Sequence, residues 1–275
     1  MKFLSRSYIA IVFLLLYAPI LVVVLFSFNS SGSLSNFSGF TLYWYRELFR
    51  DGEALTALKN SLFLAVASSL LATALGTLAA FTIDRTKKQW LSKTLQSVNN
   101  IPMMNPDIVT GVSMMLLFVG VATILKTSNF LGMWTMLIAH TTFNLPYVTL
   151  SVLPKFRQMD KHLTEAALDL GCTPAQTFFR VELPCILPGM LSGLMMSFTL
   201  SLDDFVISHF VSSPDFKTLP LYIYNQTAHE VKFSMYALCS LMIVAILILL
   251  ISVNVAGSVG ERKQRLADAK KGGKR

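Results

Sequence analysis

Charge is scarce in this chain: only 14% of its 275 residues are Asp, Glu, Lys or Arg, and they sit in short intervals between apolar runs. A soluble globular domain carries about 25%, so that class is excluded. Cysteine is scarce as well. Cys172, Cys185 and Cys239 stand apart, with no C-x-x-C or His-spaced partner, so neither a disulfide framework nor a metal site is suggested. His140, His162, His209 and His229 are isolated and read as structural rather than catalytic. There is no G-x-x-x-x-G-K-[ST] phosphate loop, no G-x-S-x-G elbow and no H-E-x-x-H helix. The chain therefore reads as no enzyme, with no cofactor of its own. If ATP drives it, another chain must bind that ATP and its Mg. Lys and Arg are also missing from the depth of every apolar run, which argues against a path for sulfate, phosphate or other anions.

What the chain does have is apolar length. Hydrophobic residues make up 53%, and runs near the ~20 residues that cross a bilayer as helix fall at about 8 to 28, 60 to 83, 101 to 125, 130 to 153, 186 to 211 and 235 to 259. The expected fold is all-α and integral to the membrane, with six transmembrane helices over residues 1–259 and a basic tail over 260–275. The first run, from Tyr8 to Phe28, lacks a small-x-small cleavage site and reads as a span rather than a signal peptide. Basic residues gather in loops that stay in the cytoplasm. With the N-terminus inside, 17 Lys and Arg fall on that side and six on the other, so both termini are expected to be cytoplasmic. The net charge of +8 is then accounted for by topology and anionic lipid, with no need of nucleic acid. N-x-[ST] matches at Asn29, Asn36 and Asn225 read as chance.

Polar residues inside the apolar runs carry the functional signal, because a carboxylate there costs on the order of 2.5 to 3.5 kcal/mol. Asp203 and Asp204 lie in the fifth run, within SFTLSLDDFVIS. As a helix, that run lines up Gly189, Gly193, Ser197 and Ser201 as a small-residue stripe, with Asp204 near its middle and Asp203 about 100° around. The acids either face a pathway or are held by hydroxyls and amides that fix packing. Asp107 follows Pro102 and Pro106 in NNIPMMNPDIVTGV, where the broken helix either lines a cavity or caps a shorter span. On the outer side, Tyr43, Trp44 and Tyr45 in FTLYWYRELF fit an interfacial belt and equally an aromatic face for an organic cation. Tyr147, after Pro146, has the same double reading.

Between the fourth and fifth runs lies a polar island, EAALDLGCTPAQTFFRVELP, from Glu165 to Pro184. Gly171 can end one helix in the left-handed conformation, and Thr173, Pro174 and Gln176 supply the N-cap, first residue and capping-box partner of the next. Pro184 is expected to stop that second helix. A chain dissolved in lipid has little use for such an island unless a soluble partner grips it. The spacing of Glu165-Ala166-Ala167, Gly171 and Leu183-Pro184 resembles the EAA loop of binding-protein-dependent ABC transporter permeases, with Val181 where the family more often has Ile.

The resemblance extends over essentially the whole chain. SFNSS, FTLYWYRELF, NPDIVTGVSMMLLF, SLDDFVISHFV and TLPLYIY resemble the second permease subunit of bacterial spermidine/putrescine importers. For this chain the resemblance implies a multi-pass permease of the inner membrane, of the type I ABC importer fold. Its partners would be a homologous permease, two ATPase subunits and an extracytoplasmic polyamine-binding protein. It also implies alternating access, with the EAA-like loop, expected at 155–185, coupling to the ATPase through Glu165, Ala166, Ala167, Gly171, Leu183 and Pro184. Asp107, Asp203, Asp204, Trp44 and Tyr147 are the side chains suited to an ammonium-bearing cargo. An ABC importer of another solute is the alternative; an ATP-independent channel or proton-coupled carrier would leave the island without a purpose.

Overall fold

The computed structural model describes residues 2–33, 35–127, 130–228, 232–248 and 251. The chain divides into two compact units, 1–52 with 226–275, and 53–225. Five helices are long and apolar enough to cross a membrane. Four are expected spans with shifted ends: α1 (Lys2–Phe26), α3 (Gly52–Arg85), α5 (Asp107–Leu125) and α6 (Met133–Gln158). The fifth runs from Pro174 to Asp203. At 34 residues, α3 extends roughly 50 Å, well beyond a ~30 Å hydrocarbon layer. The sixth expected span begins as helix Phe233–Ile248; most of its remainder, the basic tail at 260–275 and His229 lie outside the described residues.

In the first unit, α1 leads to a loop built on Asn29, which is fully buried. Its amide nitrogen donates to the carbonyls of Ser33 and Asn36, both at 2.8 Å. The short helix α2 (Tyr43–Leu48) follows. Tyr45 hydroxyl joins Ser27 at 2.8 Å to Ser240 of the Phe233–Ile248 helix at 3.1 Å.

In the second unit two boundaries differ from the sequence reading. The third span starts at Asp107, not near 101, because residues 89–104 form a separate helix, α4 (Gln89–Met104), that holds Pro102 in its last turn. Asn105 is extended, as the residue before a proline prefers, and this separates α4 from α5. The fifth run is not one helix to 211. It ends at Asp203, Asp204 is extended at φ −66°, ψ 118°, and α10 (Val206–Val211) starts anew.

Small residues bring the helices of this unit together. A Cβ on Gly189 would stand 2.8 Å from the Ser151 carbonyl oxygen, and one on Gly193 3.1 Å from Val148 Cα. Helix α9 (Leu183–Asp203) therefore lies directly on the backbone of α6, as small-residue seams between membrane helices allow. Gly76 of α3 approaches the same Val148, where an added Cβ would come within 2.8 Å of its side chain. Leu64, Met136, Phe143 and Ile207 pack towards one end of this bundle, and Ala72, Val152, Leu153 and Ile186 towards the other.

Candidate functional site

Helix α7 (Lys161–Asp169) opens with Asp160, whose carboxylate accepts the His162 N–H at 3.0 Å, and closes on Gly171 at φ +83°. The Cys172 N–H reaches the Ala167 carbonyl at 3.1 Å and the Gly171 N–H reaches Leu168 at 2.9 Å, the paired bonds of a Schellman stop. Thr173 and Gln176 then exchange reciprocal bonds of 3.0 and 3.3 Å, the expected capping box. Pro184 does not stop the second helix. After α8 (Pro174–Thr177), residues Phe178–Glu182 form a π turn that runs straight into α9, with Pro184 in its first turn. The wider turn gives the proline ring room and relaxes the demand for its missing N–H.

Of the coupling candidates, Glu165, Ala166, Gly171 and Pro184 are exposed, Leu183 is half-buried and Ala167 is buried. Glu165 pairs with His162 at 3.1 Å across one turn of α7. Leu163 and Leu168 on α7 and Leu170 at its C-cap are exposed beside them. Large apolar side chains on a polar loop suit a protein partner.

Sequence reasoning missed the side chain that organises the inner face of this loop. Glu182 is 2% exposed; its Oε1 accepts from Thr164 of α7 at 3.0 Å and from the guanidinium of Arg85 at the end of α3. Arg85 is in turn stacked over Phe81, 5.4 Å from the ring centroid.

At the other end of α9 the adjacent acids part. Asp203 is exposed, while the Asp204 side chain is 9% exposed. Asp204 accepts the N–H groups of Ile207 and Ser208 at 3.3 and 2.8 Å and so caps α10. It also lies 3.5 Å from His140 Nε2. His140, fully enclosed on α6, places Nδ1 2.8 Å from the Ser201 hydroxyl, to which Ser68 of α3 donates at 2.9 Å. That order of donors makes Nδ1 the acceptor and turns the Nε2 hydrogen towards Asp204 and Ser208, the latter 3.2 Å away. One turn further along α6, Asn144 is buried with both amide atoms unpartnered, and Ser197 on α9 is buried with its hydroxyl unpartnered. The pairings Gly193–Val148 and Ser201–His140 on either side set Ser197 at the level of Asn144. His140 and Asn144, four residues apart in an apolar span, are the signal that could have found this network.

The remaining pathway candidates fall in different places. Asp107 is exposed as the first residue of α5, a favourable place for an acid beside unpaired helix N–H groups. Tyr147 is half-buried on α6 and packs 5.6 Å from Phe143. Just before α5, a cavity of about 200 Å³ is lined by Pro102, Asn105 and Thr110. Helix α10 covers the first turns of α5, where a Cβ on Gly111 would meet Phe210 at 2.8 Å. Asp107 lies one turn before Gly111 on α5, and Asp203 ends α9 three residues before α10 begins. Trp44 is in the first unit: its indole N–H donates to the Asn29 carbonyl at 2.7 Å and its ring packs 5.4 Å from Phe233.

Comparison with known proteins agrees with this architecture. Residues 72–259 match the family of binding-protein-dependent transport system inner membrane components. The putrescine transport system permease protein PotI of Escherichia coli K12 is 38% identical over 234 residues, 85% of this chain and 83% of that protein. The spermidine/putrescine transport system permease protein PotC of Haemophilus influenzae is 37% identical over 254 residues, 90% and 94% of the two chains. Among solved structures, a chain of a bacterial ABC transporter involved in import of the acidic polysaccharide alginate superposes with a TM-score of 0.73 at 17% identity, over 92% of this chain and 94% of that one. A chain of the MetNI methionine ABC transporter gives 0.53 at 18% identity, over 76% and 96%. At those identities the likeness speaks for the fold.

Proposed function

The chain belongs to the family of binding-protein-dependent transport system inner membrane components and is a permease subunit of an ABC importer, and from that premise we propose that its cargo is a polyamine. Importing spermidine or putrescine means passing a flexible chain with two or more ammonium groups. A path for it needs carboxylates, hydroxyls and aromatic faces that attract without gripping. Asp107, exposed at the start of α5, and Asp203, exposed at the end of α9, supply the charge, and Tyr147 on α6 supplies an aromatic hydroxyl. Asp204 holds the bend that presents Asp203, and Trp44 shapes the outer segment of the first unit. The observation that carries this reading is the exposed pair Asp107 and Asp203 in apolar helices of a chain 38% identical to a putrescine permease.

The partners follow from the same premise. A second, homologous permease completes the pathway, two ATPase subunits bind ATP and Mg, and an extracytoplasmic binding protein delivers the polyamine. The termini and the α7–α8 loop face the cytoplasm, as the excess of Lys and Arg on that side requires. There the exposed leucines of α7 and the Gly171 stop meet the ATPase. Its cycle of ATP binding and hydrolysis turns the pathway alternately outward and inward.

Uptake of labelled spermidine and putrescine into proteoliposomes holding the assembled importer tests the cargo. Asp107→Asn and Asp203→Asn keep shape and hydrogen bonding while removing charge, and each should lower uptake with assembly intact. Normal polyamine uptake by both variants would sink the assignment.

A further inference from the structure

We propose that the Glu182 carboxylate is the joint that locks the ATPase-facing helix α7 to α3 and α9, so that Glu182, Arg85 and Thr164 are positioning residues for coupling ATP hydrolysis to transport. This rests on the reading that the α7–α8 loop docks on an ATPase.

One oxygen of one side chain holds all three elements. Oε1 of Glu182, at the threshold of α9, accepts from Thr164 on the inner face of α7 at 3.0 Å and from Arg85, the last residue of α3. Arg85 is steadied by Phe81, which also packs 5.9 Å from Phe156 of α6 and 5.3 Å from Phe178 in the π turn. A displacement of α7 therefore pulls on α3 and α9 at once through bonds to a charged group, each stronger than a neutral one.

Two features set this joint apart from ordinary packing. Burying a carboxylate is costly even when it is paired, and apolar residues of similar volume often hold a fold as well or better. Glu182 nonetheless keeps its second oxygen, Oε2, buried without a partner. The carboxylate also sits at the end of a π turn, Phe178–Glu182, a local departure from α geometry that tends to mark functional positions. The unfilled acceptor leaves room for a second arrangement, with the Arg85 fork bonded to both oxygens and Thr164 released. Such an alternative is what a joint with two states needs.

The test uses the assembled importer in proteoliposomes, with ATP hydrolysis measured with and without the loaded binding protein. Glu182→Gln removes the charge; Thr164→Val removes one hydroxyl at nearly constant shape and keeps the test available should Glu182→Gln not assemble. A hydrogen bond to a charged group corresponds to roughly a tenfold or larger change, so the stimulation by binding protein should fall by about that factor. Basal hydrolysis should stay near normal. An apolar pair, Arg85→Met with Glu182→Met, should assemble without recovering stimulation.

Full stimulation in Thr164→Val and Glu182→Gln would overturn the proposal. So would recovery in the apolar pair, or equal loss of basal and stimulated hydrolysis, because each describes a space-filling role. A benzophenone side chain placed at Leu170 separates the underlying reading: a cross-link to the ATPase with normal coupling in the variants defeats the joint alone, and absence of the cross-link in the otherwise unaltered importer defeats the docking and the joint together.

Discussion

Two acids, Glu182 buried and Asp204 half-buried, mark the two ends of α9 and are held in opposite ways. Glu182 takes its counter-charge from Arg85, whose side chain remains 45% exposed while its head reaches inward. Asp204 has no Lys or Arg partner among the described residues. It is held by two peptide N–H groups of α10 and faces the enclosed imidazole of His140. The difference follows from what each end can recruit. A long guanidinium can be anchored where the helix meets a polar loop, whereas bare cations are expensive within apolar spans and fixed dipoles must serve. A carboxylate held by a flexible cation can exchange partners; one held by backbone groups fixes a bend.

The shaft between the two ends is the largest target. Gly189→Val would drive a side chain into the Ser151 carbonyl 2.8 Å away, an atom of helix backbone that cannot turn aside. Overpacking of this kind costs about 3 kcal/mol, enough to part α9 from α6 and uncouple the acids from each other. Thermal unfolding of the detergent-solubilised protein should show a large drop. Unchanged stability would mean that α9 and α6 do not meet along this seam.

Removing the acid from the far end is next in size. Asp204→Ala leaves the Ile207 and Ser208 N–H groups unpaired and strips the cap from α10, at a cost of about 2 kcal/mol. Asp204→Asn keeps an acceptor and should cost less. If Asp204→Ala unfolds like the unaltered protein yet abolishes uptake, Asp204 is a transport residue and the contrast between the two ends fails.

The loop offers a smaller, local perturbation. At Gly171 an added Cβ meets nothing within 4 Å, so the penalty of Gly171→Val is confined to the backbone at φ +83° and amounts to about 1 to 2 kcal/mol. Gly171→Asn should be milder, since Asn tolerates that conformation. Transport-coupled ATP hydrolysis is the measurement. Full coupling in Gly171→Val would show that the Schellman stop does not set the docking geometry.

What could be read from the sequence was local and periodic. The Gly171 stop, the Thr173–Gln176 box and the buried stripe from Gly189 to Ser201 depend on neighbours at fixed spacing, and all are present in the structure. Two errors came from applying a proline rule without its surroundings. Pro184 continues a helix because a π turn precedes it, and Pro102 is tolerated in the last turn of α4 while Pro106 makes the break. The long-range pairs were out of reach: Arg85 and Glu182 lie 97 residues apart, and His140 and Ser201 61 apart. No local pattern announces such partners. His140 read as isolated because its partners in space come from α9 and α10, and Ser68 of α3 joins only through Ser201.

The smallest stability change should accompany one of the clearest functional ones. Asp203 and Asp204 are adjacent in sequence, yet one side chain is exposed and the other enclosed. Asp203→Asn removes a charge from an exposed carboxylate, so unfolding should move by no more than about 0.5 kcal/mol. Polyamine uptake should nevertheless fall, and more at low polyamine concentration if the carboxylate attracts ammonium groups rather than acting in a later step. Raising the salt should narrow the gap between variant and unaltered protein, since screening weakens an exposed charge. A variant that folds normally and transports normally at every concentration would assign Asp203 to the surface alone, leaving Asp107 and Tyr147 to carry the cargo reading.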